Sequence, residues 1–137
     1  MKPNQFRVGT FNLQNLALPE KEFYPGQKYS LEEYKQKLAW TGQQLDRMNG
    51  DIVGFQEVFH QGALKEVLHR SPYHKHHDMV MAEGLGRGPG MALATRFPIV
   101  NHWIFNEFPE DSRLDLEDEV LPIKRFSHPV LAVELAL

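Results

Sequence analysis

The sequence predicts an α/β fold, a mixed sheet with helices laid against one face. Three observations carry this. Residues 6–13 and 51–55 are short apolar stretches with the length and composition of strands. Between them, residues 30–48 place Leu31, Tyr34, Leu38, Thr41, Leu45 and Met48 at steps of three and four, the period of a helix with one buried stripe. Strand, helix and strand in that order form the crossover that makes two strands neighbours in one sheet.

Taken in order, residues 6–13 alternate poorly and read as a central strand buried on both faces. Residues 17–29 carry Pro19, Pro25 and Gly26 and read as a loop. Ser30 and Glu33 have the spacing of a capping box, each side chain able to bond the other's backbone N–H. The helix they open ends at Asn49-Gly50, a left-handed stop. Strand 51–55 follows at once. Residues 61–70 form a shorter helix with Leu64, Val67 and Leu68 inward, ended by Ser71-Pro72. A strand is expected over 77–82. The glycines of residues 83–90 then make a connection between antiparallel strands. They spell neither a dinucleotide fingerprint nor a phosphate loop. Strands at 91–95 and 99–105 flank the turn Arg96-Phe97-Pro98. Residues 107–119 hold seven acids against one Arg and read as a solvated loop. The last strand, 126–137, looks apolar on both faces.

Asp51–Phe59, DIVGFQEVF, is the stretch around which the rest is arranged. A carboxylate closing an apolar strand is costly to bury without a partner. Glu57 therefore either reaches solvent or a Lys or Arg, or serves as a metal ligand at the sheet rim, where open α/β sheets place their sites. Arg7–Leu16 is a second apolar strand, and it ends on the amides Asn12, Gln14 and Asn15.

Together these stretches resemble the endonuclease/exonuclease/phosphatase superfamily of metal-dependent phosphoesterases. The first strand ends in Phe11-Asn12, and the second reads Asp51 to Val58 in the family's pattern. A third segment from Gly90, GMALATRFPIV, is similar to the family's own, with Thr95 where Ser is usual. The resemblance covers nearly all of residues 1–137 as a single partial domain, but only the first half of the family's domain. It implies the N-terminal half of a four-layer α/β/β/α sandwich. It also implies that Glu57 binds Mg²⁺ or Mn²⁺, and that Asn12 helps to hold the metal site and the phosphate. Asn15 and Gln14 are weaker candidates for substrate contact. The family's catalytic His, its Asp-x-Asn pair and its closing Ser-Asp-His have no counterpart in the sequence. The expected function is thus the N-terminal part of a phosphoesterase, a hydrolase of phosphodiester or phosphomonoester bonds that is inactive as this isolated chain. The alternatives are a catalytically dead interaction module derived from such a hydrolase, and an unrelated α/β binding module in which Glu57 is only structural.

Composition narrows the partners. The chain of 137 residues is 42% apolar and has no cysteine, which removes disulfides and thiol chemistry. No apolar run approaches the roughly 20 residues that span a bilayer. The N-terminal residues are polar, with no visible secretory signal, which favours the cytoplasm. A net charge of −3 without a Lys/Arg cluster speaks against nucleic acid as the phosphate-ester substrate without removing it. His69, His74, His76 and His77 invite a zinc reading, but they sit at a helix–strand junction, where a structural role is the stronger expectation. On an extended segment His74 and His76 would point the same way. His60 and His128 are isolated. If the strands are apolar on both faces, the uncovered face of the sheet calls for a second copy or a partner chain.

Overall fold

The computed structural model describes residues 4–108 and 125–137. Most of the acidic stretch 107–119 lies outside the described residues. The elements run β1 (Val8–Leu16), α1 (Leu31–Met48), β2 (Ile52–Val58), α2 (Gln61–His69), β3 (Asp78–Ala82), β4 (Gly90–Thr95), β5 (Ile99–Glu107) and β6 (Arg125–Leu135). Four strands make one mixed sheet in the order β1-β2-β4-β3, and β5 and β6 pair as a second sheet.

α1 forms for the reasons its sequence gives. Ser30 accepts from the Glu33 N–H, and the Glu33 carboxylate accepts from the Ser30 N–H, so two of the helix's unpaired donors are satisfied. Asn49, at φ 47°, ends it in the left-handed region. The buried stripe is Tyr34, Leu38, Thr41 and Leu45, with Met48 partly buried. Leu31 is not part of it: its side chain is 53% exposed in the first turn, before the helix reaches the sheet. α1 returns the chain so that β2 lies parallel to β1, with Asn12 opposite Gln56. β4 runs antiparallel to both β2 and β3, and residues 83–89 join β3 to β4.

One face of the large sheet holds the core. Leu13, Val53, Phe55, Ala92 and Ala94 point to it, together with Leu38 and Leu45 of α1 and Leu64 and Val67 of α2. Both helices therefore cover the same face. The other face is only partly covered. β6 packs against β4 and β3, while Val8 on β1 remains 64% exposed. The expectation that residues 6–13 and 126–137 are buried on both faces is thus corrected. Along β1, burial alternates as in a sheet with one open side. Along β6, Pro129 is buried but its neighbours Ser127, His128 and Val130 are exposed.

The end of the sheet where β1 and β2 begin is fastened by Asp51. Its fully buried carboxylate accepts from the Arg7 N–H (2.7 Å), the Tyr73 hydroxyl (2.6 Å) and Arg96 Nε (2.6 Å). Burial alone would push this carboxyl up, but the donors from Tyr73, Arg7 and Arg96 more than offset it and hold it below the ordinary carboxylate range. The main chain adds Arg96 N–H to Asp51 O at 2.9 Å. One side chain thereby ties together the starts of β1 and β2, the end of β4 and the turn before β3.

That turn corrects another expectation. Residues 72–76 are a turn rather than an extended segment, so His74 is buried while His76 is exposed. Ser71 Oγ donates to Asp46 Oδ1 of α1 at 3.0 Å, which leaves its oxygen to accept from His74 Nδ1 at 2.6 Å. The Tyr73 N–H also reaches Asp46, at 3.2 Å.

Candidate functional site

The opposite end of the sheet gathers the carboxyl ends of β1, β2 and β3 and the start of β4. Here both parallel strands bulge. Pairing along β1 and β2 shifts between Asn12 and Leu16, and along β2 and β4 between Gln56 and Val58. The residues inside the bulges take left-handed backbone: Gln14 at φ 49°, Asn15 at 61° and Glu57 at 60°. Asparagine tolerates this region, whereas a glutamate there is uncommon. The bulge on β1 is pinned twice. Asn12 Oδ1 accepts from the Gln14 N–H at 2.8 Å, and the Tyr29 hydroxyl donates to the Asn15 carbonyl at 2.8 Å.

Asn12 and Glu57 line one cavity of about 230 Å³, with Gln56, Pro89, Gly90, Met91 and His128. Asn12, Gln56 and Met91 are cross-strand neighbours on the face turned away from the helices. His128 reaches the cavity from β6. The Asn12 carbonyl oxygen is already engaged, leaving one lone pair for a cation and the amide nitrogen as a donor. Asn15 holds the bulge through its main chain and does not line the cavity. Glu57 acts electrostatically on two neighbours. The Tyr29 hydroxyl is pushed up by burial, then by Glu33 and Glu57. The Lys37 ammonium is pushed down by burial and partly restored by Glu57. Lys37 Nζ sits 5.6 Å from the Tyr29 ring centroid.

Among the described residues, no three His, Cys, Asp or Glu side chains converge as a metal group. A single carboxylate beside an amide oxygen suits a hard cation that keeps most of its waters, as Mg²⁺ does, and not a closed zinc site. The histidine cluster does not close one either. His69 and His76 are exposed, and His74 is buried beside His77 with ring centroids 4.9 Å apart.

The connection at residues 17–29 is ordered by aromatic packing. Phe23 stacks on Tyr29 at 4.8 Å and meets Phe59 at 5.5 Å, and Tyr24 meets Phe59 edge-on at 5.3 Å. Tyr24-Pro25-Gly26-Gln27 closes a tight turn, with the Gln27 N–H on the Tyr24 carbonyl at 2.8 Å and Gly26 at φ 75°. His60, first residue after Phe59, accepts the Leu18 N–H on Nδ1 at 2.9 Å. Nδ1 is therefore unprotonated, and Nε2 carries the proton of the neutral ring. Burial, then Lys21, pushes the pKa of His60 down, which keeps it neutral.

These residues border a second cavity of about 620 Å³, whose far wall is the glycine-rich segment 83–88. Glycine is required there: a Cβ on Gly84 would run into the Gly88 carbonyl.

The structure thus brings together Asn12 and Glu57, which sequence motifs single out. In the same cavity it adds His128 and Gln56, and in the larger cavity His60, none of which was a candidate from the sequence. The immediate continuation of the Asp51–Phe59 stretch into His60 was the available signal for His60. His128 had none, because its neighbours in the cavity are far away along the chain. Among the described residues, no helix is long and apolar enough to cross a membrane. The chain matches no protein-family model, no curated protein and no solved structure.

Proposed function

We propose that the chain is the N-terminal part of a metal-dependent phosphoesterase, in which Glu57 holds Mg²⁺ or Mn²⁺ and Asn12 assists in holding the cation and the phosphate. One observation carries the reading. Asn12 and Glu57 belong to two separate motifs, 45 positions apart in sequence, yet line one cavity at the carboxyl rim of a parallel strand pair. A bound divalent cation would neutralise charge on the phosphoryl oxygens. Asn12 Nδ2–H and the neighbouring Gln56 amide supply donors for a phosphate beside it. Lys37 adds a positive charge within the field of Glu57. The catalytic His, the Asp-x-Asn pair and the Ser-Asp-His of the resembled family have no counterpart in the sequence, so this chain is expected to turn over little substrate. General acid–base help alone is typically worth about 10²–10⁴-fold.

Manganese titration followed by electron paramagnetic resonance tests this reading. The chain is expected to bind Mn²⁺ at one site, and Glu57→Gln to weaken it at least about tenfold. With bis-p-nitrophenyl phosphate, the same samples should stay near background. Mn²⁺ binding that is indifferent to Glu57→Gln sinks the proposal. A catalytically dead interaction module is the second reading, favoured by the exposed apolar side chains of β5, among them Trp103, Ile104 and Phe105. A second copy or a partner chain covering the open part of the sheets is consistent with either reading.

A further inference from the structure

We propose that the 620 Å³ cavity is the subsite for the alcohol portion of the ester, and that it takes a planar heteroaromatic ring, so that the ligand is a small nucleoside-type phosphate. The inference rests on the phosphoesterase reading for the phosphate itself. The two cavities are joined by sequence. Glu57 lines the smaller one, and Phe59 and His60 line the larger. Likewise Gly84, Gly86 and Gly88 border the larger cavity and Pro89-Gly90 the smaller. Two residues of extended chain span at most about 7 Å. The backbone of Glu57 and that of Phe59 are thus close enough for one small molecule to face both, which is the arrangement the proposal requires.

The lining selects the class of ring. Tyr24 and Phe59 stand edge to face, and Tyr24 is 37% exposed, so aromatic surface is open to a ligand. Phe23 and the turn at Pro25-Gly26 hold these rings in place, which lowers the entropy lost on stacking. His60 is a neutral ring with its Nε2–H not used by Leu18. Glu83 accepts hydrogen bonds, and Arg87 brings donors and a flat cation for stacking. A heteroaromatic ring with donor and acceptor edges satisfies such a wall. A lipid chain would strip water from Glu83 and Arg87 and return nothing. A polynucleotide calls for a basic face, and the chain carries a net charge of −3. The volume lies within the range of small-molecule sites, about 300–1,000 Å³.

Isothermal titration calorimetry on the whole chain tests the subsite with adenosine, adenosine 5′-monophosphate and ribose 5-phosphate, each with and without Mn²⁺. With Mn²⁺, the nucleotide should bind about tenfold or more tightly than ribose 5-phosphate. Tyr24→Leu should remove that advantage while leaving ribose 5-phosphate unchanged. Arg87→Ala, on an exposed loop, should reduce it without touching the packed aromatic cluster. Equal binding of the nucleotide and ribose 5-phosphate overturns the subsite and spares the metal reading. Binding of adenosine 5′-monophosphate that needs Tyr24 but is no tighter than that of adenosine, with or without Mn²⁺ and in Glu57→Gln alike, supports the subsite and removes the phosphoesterase reading instead. If neither adenosine nor the nucleotide binds, the subsite is overturned.

Discussion

Glu57 takes a backbone conformation that glycine would adopt at less cost, with φ at 60°. Left-handed non-glycine residues store strain of order 1 kcal/mol or more, and such strain concentrates where a side chain must be aimed. Glu57→Gly should therefore raise the unfolding free energy by about 1 kcal/mol in urea titrations while abolishing Mn²⁺ binding. A destabilised Glu57→Gly variant would show that the carboxylate makes structural contacts instead. At this scale the sequence was legible in part. Apolar strands that close on polar side chains are locally recognisable, which pointed to Glu57 and to the amides Asn12, Gln14 and Asn15; only the resemblance to a family singled out Asn12 among them. The bulges were not legible. Strand propensity carries no term for one left-handed residue, and the hydroxyl that pins the β1 bulge comes from Tyr29, beyond a loop. The carbonyl of Asn15, a weaker candidate for substrate contact, receives that hydroxyl.

Among the elements, the junction of α2 and β3 departs furthest from its expected form. The segment holding His74 and His76 was expected to be extended, and a turn won because Asp46 on α1 receives both the Ser71 hydroxyl and the Tyr73 N–H. That partner lies 25 residues away from Ser71 and no local pattern announces it. The turn buries His74, whose pKa falls to about 4. Burial is the first cause and His77 the second, opposed by Asp46, the Gly50 main chain and Asp51. His74 Nε2 has no hydrogen-bond partner among the described residues, so the neutral ring is the form that fits. The unfolded chain, with an imidazole pKa near about 6.5, binds this proton first as pH drops. The stabilisation from a neutral His74 is complete above about pH 6.5, and is lost as pH falls toward about 4. The slope is about 1.4 kcal/mol per pH unit for one proton. Urea midpoints measured from pH 7 to pH 4 should follow that slope, and His74→Asn, whose amide can replace Nδ1, should flatten it. An unchanged slope in the variant would assign the pH dependence to other groups, His77 first. By contrast, α1 was legible nearly to the residue, because its capping box and its left-handed stop are local devices. Only Leu31 was misplaced, since nothing in a periodic stripe tells where the helix first meets the sheet.

The molecule as a whole has a well-covered side and a sparsely covered one. The strand–helix–strand order fixed which strands pair, and the α/β class followed from it. How much of each face is covered depends on where β5 and β6 lie, and apolar composition alone could not distinguish a buried strand from an exposed apolar one. Trp103, Ile104 and Phe105 on β5, and Val130 on β6, are between 41% and 50% exposed. At roughly 25 cal/mol per Å² of apolar surface, leaving such side chains wet is a large loss for a domain of marginal stability. Sedimentation velocity at micromolar concentration should show self-association that Ile104→Glu weakens; a well-folded monomer at every concentration would refute it. The fastening at Asp51 has another consequence. It lies at the end of the sheet away from both cavities and joins three strands and a turn through one carboxylate. The strand starts are thus fastened at a distance from both cavities. Within residues 17–29 and 83–89, positions other than those that pin the β1 bulge, as Tyr29 does, or require glycine, as Gly84 does, can therefore change their side chains while the strand starts stay fastened, so the walls of the two cavities can diversify while the fold is inherited intact.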